Sequence, residues 1–165
     1  MSKRTRLAAT LATAVAVVAL ITTGALAASR TGAPTYTFQD SGTIFASINN
    51  ANAKGTQFTS GNVFSRHFGH CAITYDLSLL PSNAPGTISV KATRVVLYTT
   101  RGSLSGTGTA TLVIHGDTQQ ITKGTLSLDH GAGSMKGYTY DGTFTGLANL
   151  QTNKIRFDFN ATLSN

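Results

Sequence analysis

Helix-forming and cross-linking residues are scarce in this chain. It has no glutamate and no tryptophan, and it contains one cysteine, two methionines and three prolines among 165 residues. Because glutamate and methionine are among the better helix formers, their scarcity argues against a helical protein. A single cysteine, Cys71, excludes an intramolecular disulfide, so a packed core has to stabilise the fold. Cys71 itself is expected to be a buried small hydrophobe, the alternative being a reactive or intermolecular thiol.

Residues suited to strands and turns are abundant instead. Thr, Val, Ile, Tyr and Phe fit a pleated sheet, and the 17 glycines, with Asn and Asp, supply turns. Apolar and polar residues alternate over residues 71–79 and 154–163, which is the period of a half-buried strand. Further strands are expected at residues 35–39, 42–48, 86–100, 104–115, 119–129, 138–146 and, as a short additional strand, 147–151. The sequence therefore predicts an all-β fold, a single antiparallel barrel of about eight strands in meander order.

A Gly-Thr repeat supports this count of strands. It recurs at Gly86, Gly106, Gly124 and Gly142, at intervals of 20, 18 and 18 residues. Such an interval predicts one two-stranded hairpin per repeat, and glycine inside strands permits the bends that barrel closure demands. Residues 49–62, rich in Asn and Gly, are expected to form a long loop beside one mouth of the barrel.

The N-terminal segment has the pattern of an export signal. Lys3, Arg4 and Arg6 precede an apolar run over residues 7–26, and an Ala-x-Ala sequence ends at Ala27. This order of charged, apolar and small residues predicts a signal peptide, residues 1–27, with cleavage after Ala27. The alternative is a retained membrane anchor, because the run is long enough to cross a bilayer. Cleavage predicts a secreted, extracellular or envelope protein whose domain covers residues 28–165, without a stable membrane span.

The charge of the predicted domain is modest and dispersed. The signal contains three of the 13 basic residues and none of the six acidic ones, so the remainder carries a formal charge of +4. The basic residues form no cluster, arm or aromatic platform, which argues against nucleic acid as a partner. A weakly basic surface is still compatible with adsorption to anionic envelope polymers. An oligomer is possible, but the sequence shows no interface that supports one.

Side chains able to bind metals or transfer protons are few. His67, His70 and Cys71 gather in one short stretch, but a closed zinc site takes four ligands and no matching pair follows elsewhere. Solvent-exposed turn histidines are therefore the preferred interpretation, and no metal or other cofactor is expected. Asp129 and His130 pair a carboxylate with an imidazole, yet no Gly-x-Ser-x-Gly elbow accompanies them. The catalytic residues of any enzyme activity are not identifiable.

The last predicted strand carries one polar face, formed by Arg156, Asp158 and Asn160. Together with Arg94 and Asp76, these residues would make a polar lumen if they faced the barrel interior. The alternative is a solvated outer face over an apolar core, which is how most antiparallel sheets are arranged.

Glycine-rich segments at residues 124–128, 131–137 and 142–146 carry a resemblance to known proteins. With the final apolar strand, they resemble the C-terminal half of the small secreted barrels related to allene oxide cyclase and dirigent proteins. The resemblance covers residues 122–163. It implies an eight-stranded antiparallel barrel with an apolar interior that binds or steers a small hydrophobic molecule. No catalytic position of those families matches residue by residue.

Three functions follow from these observations. The leading hypothesis is that the barrel binds a small apolar molecule, because an eight-stranded barrel has an interior just able to hold one. The second is a cyclase-like enzyme with Arg156 or Asp76 as its polar group, and the third is an envelope-associated structural or adhesive module. The predicted ligand-binding residues are Tyr75, Tyr98, Phe157, Arg156 and Asp76. Other aromatic candidates for the lining are Tyr36, Phe38, Phe45, Tyr138, Phe144 and Phe159.

Overall fold

The computed structural model describes residues 35–51, 57–80 and 84–165, with the backbone alone described at residues 48–51, 57 and 58. These residues form eight strands: β1 (Thr37–Ala51), β2 (Gln57–Ser65), β3 (Gly69–Leu80), β4 (Thr87–Thr99), β5 (Gly102–His115), β6 (Thr118–Gly133), β7 (Thr139–Asn149) and β8 (Lys154–Ser164). Each strand pairs antiparallel with the next, and β8 pairs with β1 to close a barrel. The predicted all-β meander barrel is confirmed. The predicted signal peptide and its cleavage site lie outside the described residues.

Side-chain alternation explains why these segments form strands. In β8, Ile155, Phe157 and Phe159 are buried, whereas the residues between them are exposed. The same period in β3 buries Cys71 and Tyr75. These two strands therefore each contribute an apolar row to the interior and a more polar row to the surface. No helix in the described part of the chain is long and apolar enough to cross a membrane.

The expected loop over residues 49–62 is wrong at residues 49–51 and 57–62, which lie in strands, while residues 52–56 lie outside the described residues. The break expected within the first strand is also wrong. Strand β1 continues to Ala51, and β2 begins at Gln57. The inward positions of β2 include Thr59, Gly61 and Ser65, which are too small and polar to produce an apolar alternation in the sequence. Gly61 is required here because a Cβ at this position would meet the backbone of β1, at 2.9 Å from the Cα of Ala46. The pairing of β2 thus depends on its close contact with β1 rather than on an apolar alternation of its own.

The Gly-Thr repeat marks single strands rather than hairpins. Gly106, Gly124 and Gly142 lie in β5, β6 and β7, so the interval is one long strand with its turn. These strands have 14, 16 and 11 residues, longer than the five or six that are typical. Likewise, residues 147–149 are the end of β7 and not a separate strand.

The two ends of the barrel interior differ. The largest fully buried side chains cluster toward one end and include Leu104, Leu128, Tyr140 and Leu163. The turns β2–β3 and β6–β7 cover that end with Phe68 and Met135, which are also buried. We call it the closed end. The opposite end is where β3 turns into β4, β5 into β6 and β7 into β8.

Candidate ligand-binding cavity

A cavity of about 470 Å³ occupies the interior of the barrel away from the closed end. Its volume lies within the range of about 300–1,000 Å³ that is usual for small-molecule sites. Most of its lining is aliphatic or aromatic, and seven of the eight strands contribute to it. The lining includes Ile44, Ile73, Tyr75, Leu77, Val90, Ala92, Val95, Gly108, Ala110, Leu112, Ile121, Leu126, Phe144, Ala148, Ile155, Phe157, Phe159 and Ala161.

Small residues at inward positions create this space. Strand β5 places Leu104 in the closed end but Gly108 and Ala110 against the cavity. Ala92 of the adjacent strand β4 and Ala148 of β7 are further small inward residues. Interiors normally pack to a density of about 0.74, so a space of this volume without side chains is a departure from ordinary core packing. The sequence thus fills one half of the barrel and leaves the other half open.

Three aromatic rings form one continuous part of the cavity wall. Phe157 lies between Tyr75, at a centroid distance of 6.3 Å, and Phe144, at 5.3 Å in an edge-to-face arrangement. Gly124 positions the Phe144 ring, because a Cβ on Gly124 would overlap it. Aromatic rings offer a large, stiff apolar surface, so this wall suits a flat or branched hydrophobic molecule.

The mouth of the cavity is also apolar. Leu79 and Leu150 belong to the lining, yet they are 71% and 40% exposed. Both lie at the barrel end opposite the closed end, beside the β3–β4 and β7–β8 turns. Polar groups at this end of the lining are the side chains of Gln119 and Asn153. An exposed apolar rim is the kind of surface through which a hydrophobic molecule can enter.

Two buried hydroxyls of the described residues make no hydrogen bond, and one of them belongs to Tyr75, a residue of the cavity lining. Among the described residues, Tyr75 Oη and Thr59 Oγ1 are the buried side-chain polar atoms without a partner. They belong to directly paired residues of β2 and β3. Burial raises the pKa of Tyr75, and the nearby Thr59 hydroxyl offsets this only in part, although the geometry between them is not that of a hydrogen bond. The Tyr75 phenol is therefore a neutral group that still has a proton to donate.

The structure divides the predicted ligand-binding residues between the interior and the surface. Tyr75 and Phe157 line the cavity. Tyr98 is 48% exposed on the outer face of β4. Arg156 is also outside and pairs with Asp158, with 3.3 Å between Nη2 and Oδ1.

Asp76 is likewise outside, on the outer face of β3. Its Oδ2 lies 3.8 Å from Nε of Arg94, in an ion pair whose arginine is largely exposed. The structure thus places the polar face of β8, and the Asp76 and Arg94 pair with it, on the outer surface rather than in a lumen. Arg156 faces outward because successive side chains of a strand point to opposite faces, and its neighbours Ile155 and Phe157 are buried.

The other aromatic candidates also separate by face. Phe144 and Phe159 line the cavity, and Tyr138 packs against the core. Tyr36, Phe38 and Phe45 are 42–50% exposed. An aromatic side chain is therefore not sufficient evidence that a residue lines the cavity.

The His67, His70 and Cys71 group does not converge. Cys71 is buried inside the barrel, where desolvation and then the charge of Asp40 raise its pKa. His70 is exposed and packs edge-on against Phe64 outside, with 4.7 Å between ring centroids. Within the described residues, no three His, Cys, Asp or Glu side chains are grouped so that they could hold a metal ion. Asp129 and His130 contact each other on the surface, where both are largely exposed.

Sequence reasoning missed a buried polar network at the closed end. Asp40 is 3% exposed, and its carboxyl accepts hydrogen bonds from Ser65 Oγ at 2.6 Å and Tyr140 Oη at 2.7 Å. It also accepts one from the backbone N–H of His67 at 3.0 Å, while Ser65 Oγ accepts one from Phe68 N–H. Burial and the Asp40 bond raise the pKa of Tyr140. The network holds the β2–β3 turn over the closed end. A sequence signal for Asp40 was present, because it lies an even number of residues before Ile44 and Ala46 and therefore shares their inward face.

Comparison with known proteins adds no assignment. The sequence matches no protein-family model, and no curated protein is significantly similar to it. The geometry of the cavity is therefore the basis on which a function can be argued.

Proposed function

We propose that this protein binds a small, largely apolar molecule in the cavity of its barrel. The observation that carries the proposal is the cavity of about 470 Å³ with a largely apolar lining. Each 100 Å² of apolar ligand surface removed from water contributes about 2.5 kcal/mol, so a molecule that fills part of this space gains enough to offset the cost of association.

The chemistry of the wall favours a neutral ligand. The lining in the described part of the chain contains no carboxylate, amine, guanidinium or imidazole. A charged group would lose its hydration there without an opposite charge to compensate for the loss. The exposed leucines at the mouth support entry of an uncharged, hydrophobic molecule from that end.

The place of binding follows from the predicted signal peptide. If residues 1–27 direct export, the ligand is met outside the cytoplasm, in the envelope or the medium. The sequence resemblance to allene oxide cyclase and dirigent barrels supports the same type of ligand, since those barrels act on small hydrophobic molecules. We retain that relationship as part of the proposal.

A pair of substitutions tests whether binding occurs inside the barrel. Ala110 lines the cavity, so Ala110→Phe fills space that a ligand would occupy. Ala72, exposed on the outer face of β3, provides the matched control Ala72→Phe. The probe is N-phenylnaphthylamine, a neutral molecule that fluoresces in apolar surroundings. The measurement is its fluorescence titration with the purified protein and both variants.

The proposal expects saturable binding by the wild type and by Ala72→Phe, and a loss of at least about tenfold in affinity for Ala110→Phe. Circular dichroism and thermal unfolding check that both variants remain folded. Absence of saturable binding to the wild type contradicts the proposal. So does equal binding by a folded Ala110→Phe variant.

A further inference from the structure

In the described part of the chain, two buried hydroxyls without a hydrogen-bond partner, one of them on the cavity-lining residue Tyr75, carry a further inference about the ligand. Buried polar groups nearly always have hydrogen-bond partners, and an exception in a native protein calls for an explanation. Here two exceptions, Tyr75 Oη and Thr59 Oγ1, lie on paired residues of β2 and β3. Phe and Val would fill nearly the same volume without leaving a buried polar atom. Two such hydroxyls, one on a residue of a largely apolar wall, are therefore a specific chemical feature.

The position of Tyr75 connects these hydroxyls to the cavity. Its ring lines the cavity beside Phe157, and the residue is 6% exposed. The hydroxyl itself is shielded from solvent, and Thr59 is the residue of β2 directly paired with Tyr75. Because the ring borders the cavity, the inference requires the Tyr75 side chain to turn toward the cavity when a ligand binds, so that its oxygen reaches the ligand.

One hydrogen-bond acceptor is enough to satisfy both groups. The neutral phenol can donate to an oxygen inside the cavity, and the Thr59 hydroxyl can then donate to Tyr75 Oη, since a hydroxyl is both donor and acceptor. A carboxylate as the acceptor would be a buried charge with no cation in the described lining, which is costly. A neutral oxygen meets the requirement without that cost.

We infer that Tyr75 is the specificity-determining residue of the cavity and that the ligand is a neutral apolar molecule bearing one oxygen acceptor, as in a ketone, ester, ether or alcohol. This inference rests on the proposed binding function and adds the chemical class of the ligand. Tyr75 selects the oxygenated molecule, while the apolar wall supplies most of the affinity. Thr59 acts through Tyr75 as a positioning residue.

Two probes of matched shape test the inference. Methyl naphthyl ketone and isopropylnaphthalene, used as the same ring isomer, differ mainly in a carbonyl that replaces a methyl branch. Their affinities are measured by fluorescence titration for the wild-type protein and the variants Tyr75→Phe and Thr59→Val. Each probe is compared between protein variants, so the difference in hydration between the two probes cancels.

Tyr75→Phe is expected to lower the affinity for the ketone about tenfold and to change that for the hydrocarbon less than about twofold. Thr59→Val is expected to cause a smaller loss, about threefold, again for the ketone alone. The carbonyl stretching band of the bound ketone should lie at lower frequency in the wild type than in Tyr75→Phe, which a purely structural role of Tyr75 would not produce.

The outcomes separate the two proposals. If both probes bind the wild type and Tyr75→Phe alters them equally, Tyr75 is only a packing residue and the inference is overturned, while the binding function stands. An unshifted carbonyl band has the same meaning. If neither probe binds the wild type, the binding function itself fails, and the inference fails with it.

Discussion

Removal of the Tyr75 hydroxyl is expected to stabilise the unliganded protein, although Tyr75 belongs to the wall of the binding cavity. The hydroxyl is buried and has no hydrogen-bond partner among the described residues, whereas the ring packs beside Phe157. Tyr75→Phe keeps the ring and removes only the unpaired polar atom. Because folding of the wild type strips this atom of water without replacing the lost hydrogen bond, the variant avoids that penalty.

The magnitude follows from the cost of an unpaired group. A buried donor or acceptor left without a partner costs about 1–3 kcal/mol. Phenylalanine is also more apolar than tyrosine, but the added space beside the cavity cancels part of that gain. We therefore expect the free energy of unfolding to rise by about 1 kcal/mol. For a domain of this size, such a change raises the melting temperature by about 4 °C.

The same substitution at Tyr140 is a matched control with the opposite sign. The Tyr140 hydroxyl donates to Asp40 Oδ2 at 2.7 Å inside the closed end. Tyr140→Phe removes this bond and leaves the buried carboxyl with one donor fewer, so the free energy of unfolding is expected to fall by about 1.5–3 kcal/mol. Both variants are compared with the wild type by urea unfolding and by thermal unfolding, without ligand.

Opposite signs for the two tyrosines support the assignment of a free hydroxyl at one and a bonded hydroxyl at the other. A loss of about 1 kcal/mol or more in Tyr75→Phe would refute the reasoning, because it would mean that the Tyr75 hydroxyl already has a partner in the unliganded protein. Thr59→Val distinguishes the source of such a partner. If Thr59 provides it, the two variants destabilise by similar amounts and their effects do not add.

Two further results are expected. Gly124→Ala should weaken binding of N-phenylnaphthylamine by about tenfold while the barrel stays folded, because the added methyl overlaps the Phe144 ring and pushes it into the cavity; unchanged affinity in this variant would show that Phe144 does not shape the site. Cys71 should react with a disulfide reagent at neutral pH far more slowly in the folded protein than in urea, because it is buried and its pKa is raised; equal rates would contradict its placement inside the barrel.

Large alternating side chains made part of the fold predictable. Strand β8 and the first part of β3 have bulky apolar residues at every second position, so their periods are visible without a structure. Strand β2 has Thr59, Gly61 and Ser65 at its inward positions, and its pairing depends on contact with β1 that no local pattern reveals. The predicted count of about eight strands is right, but β2 itself was not predicted: most of its residues were assigned to a loop, and β1 was divided into two strands.

The faces of individual residues were less predictable because the strands contain bulges. In β4, Val90 and Ala92 face inward, but the irregularity between Ala92 and Val95 shifts the pattern so that Val95 and Leu97 face inward next. Tyr98 lies an even number of residues after Val90, so in a regular strand its side chain would also face the barrel interior. The bulge turns it outward instead, since one extra residue exchanges the two faces.

The cavity depends on a still finer property, the size of the residues that face one another across the barrel. Gly108 and Ala110 are small, but small residues also fill well-packed cores, and their effect is known only once their neighbours across the interior are known. An unfilled apolar space costs stability, because the atoms that line it lose contacts on one side. The closed end, with its large buried side chains and the Asp40 network, is where this protein regains that stability. The same β5 strand begins in one region and continues into the other, so stability and the capacity to bind are separated along the barrel axis. A substitution in the closed end should therefore change the stability of the fold, and one at the cavity should change ligand binding. A substitution of Tyr75 should change both.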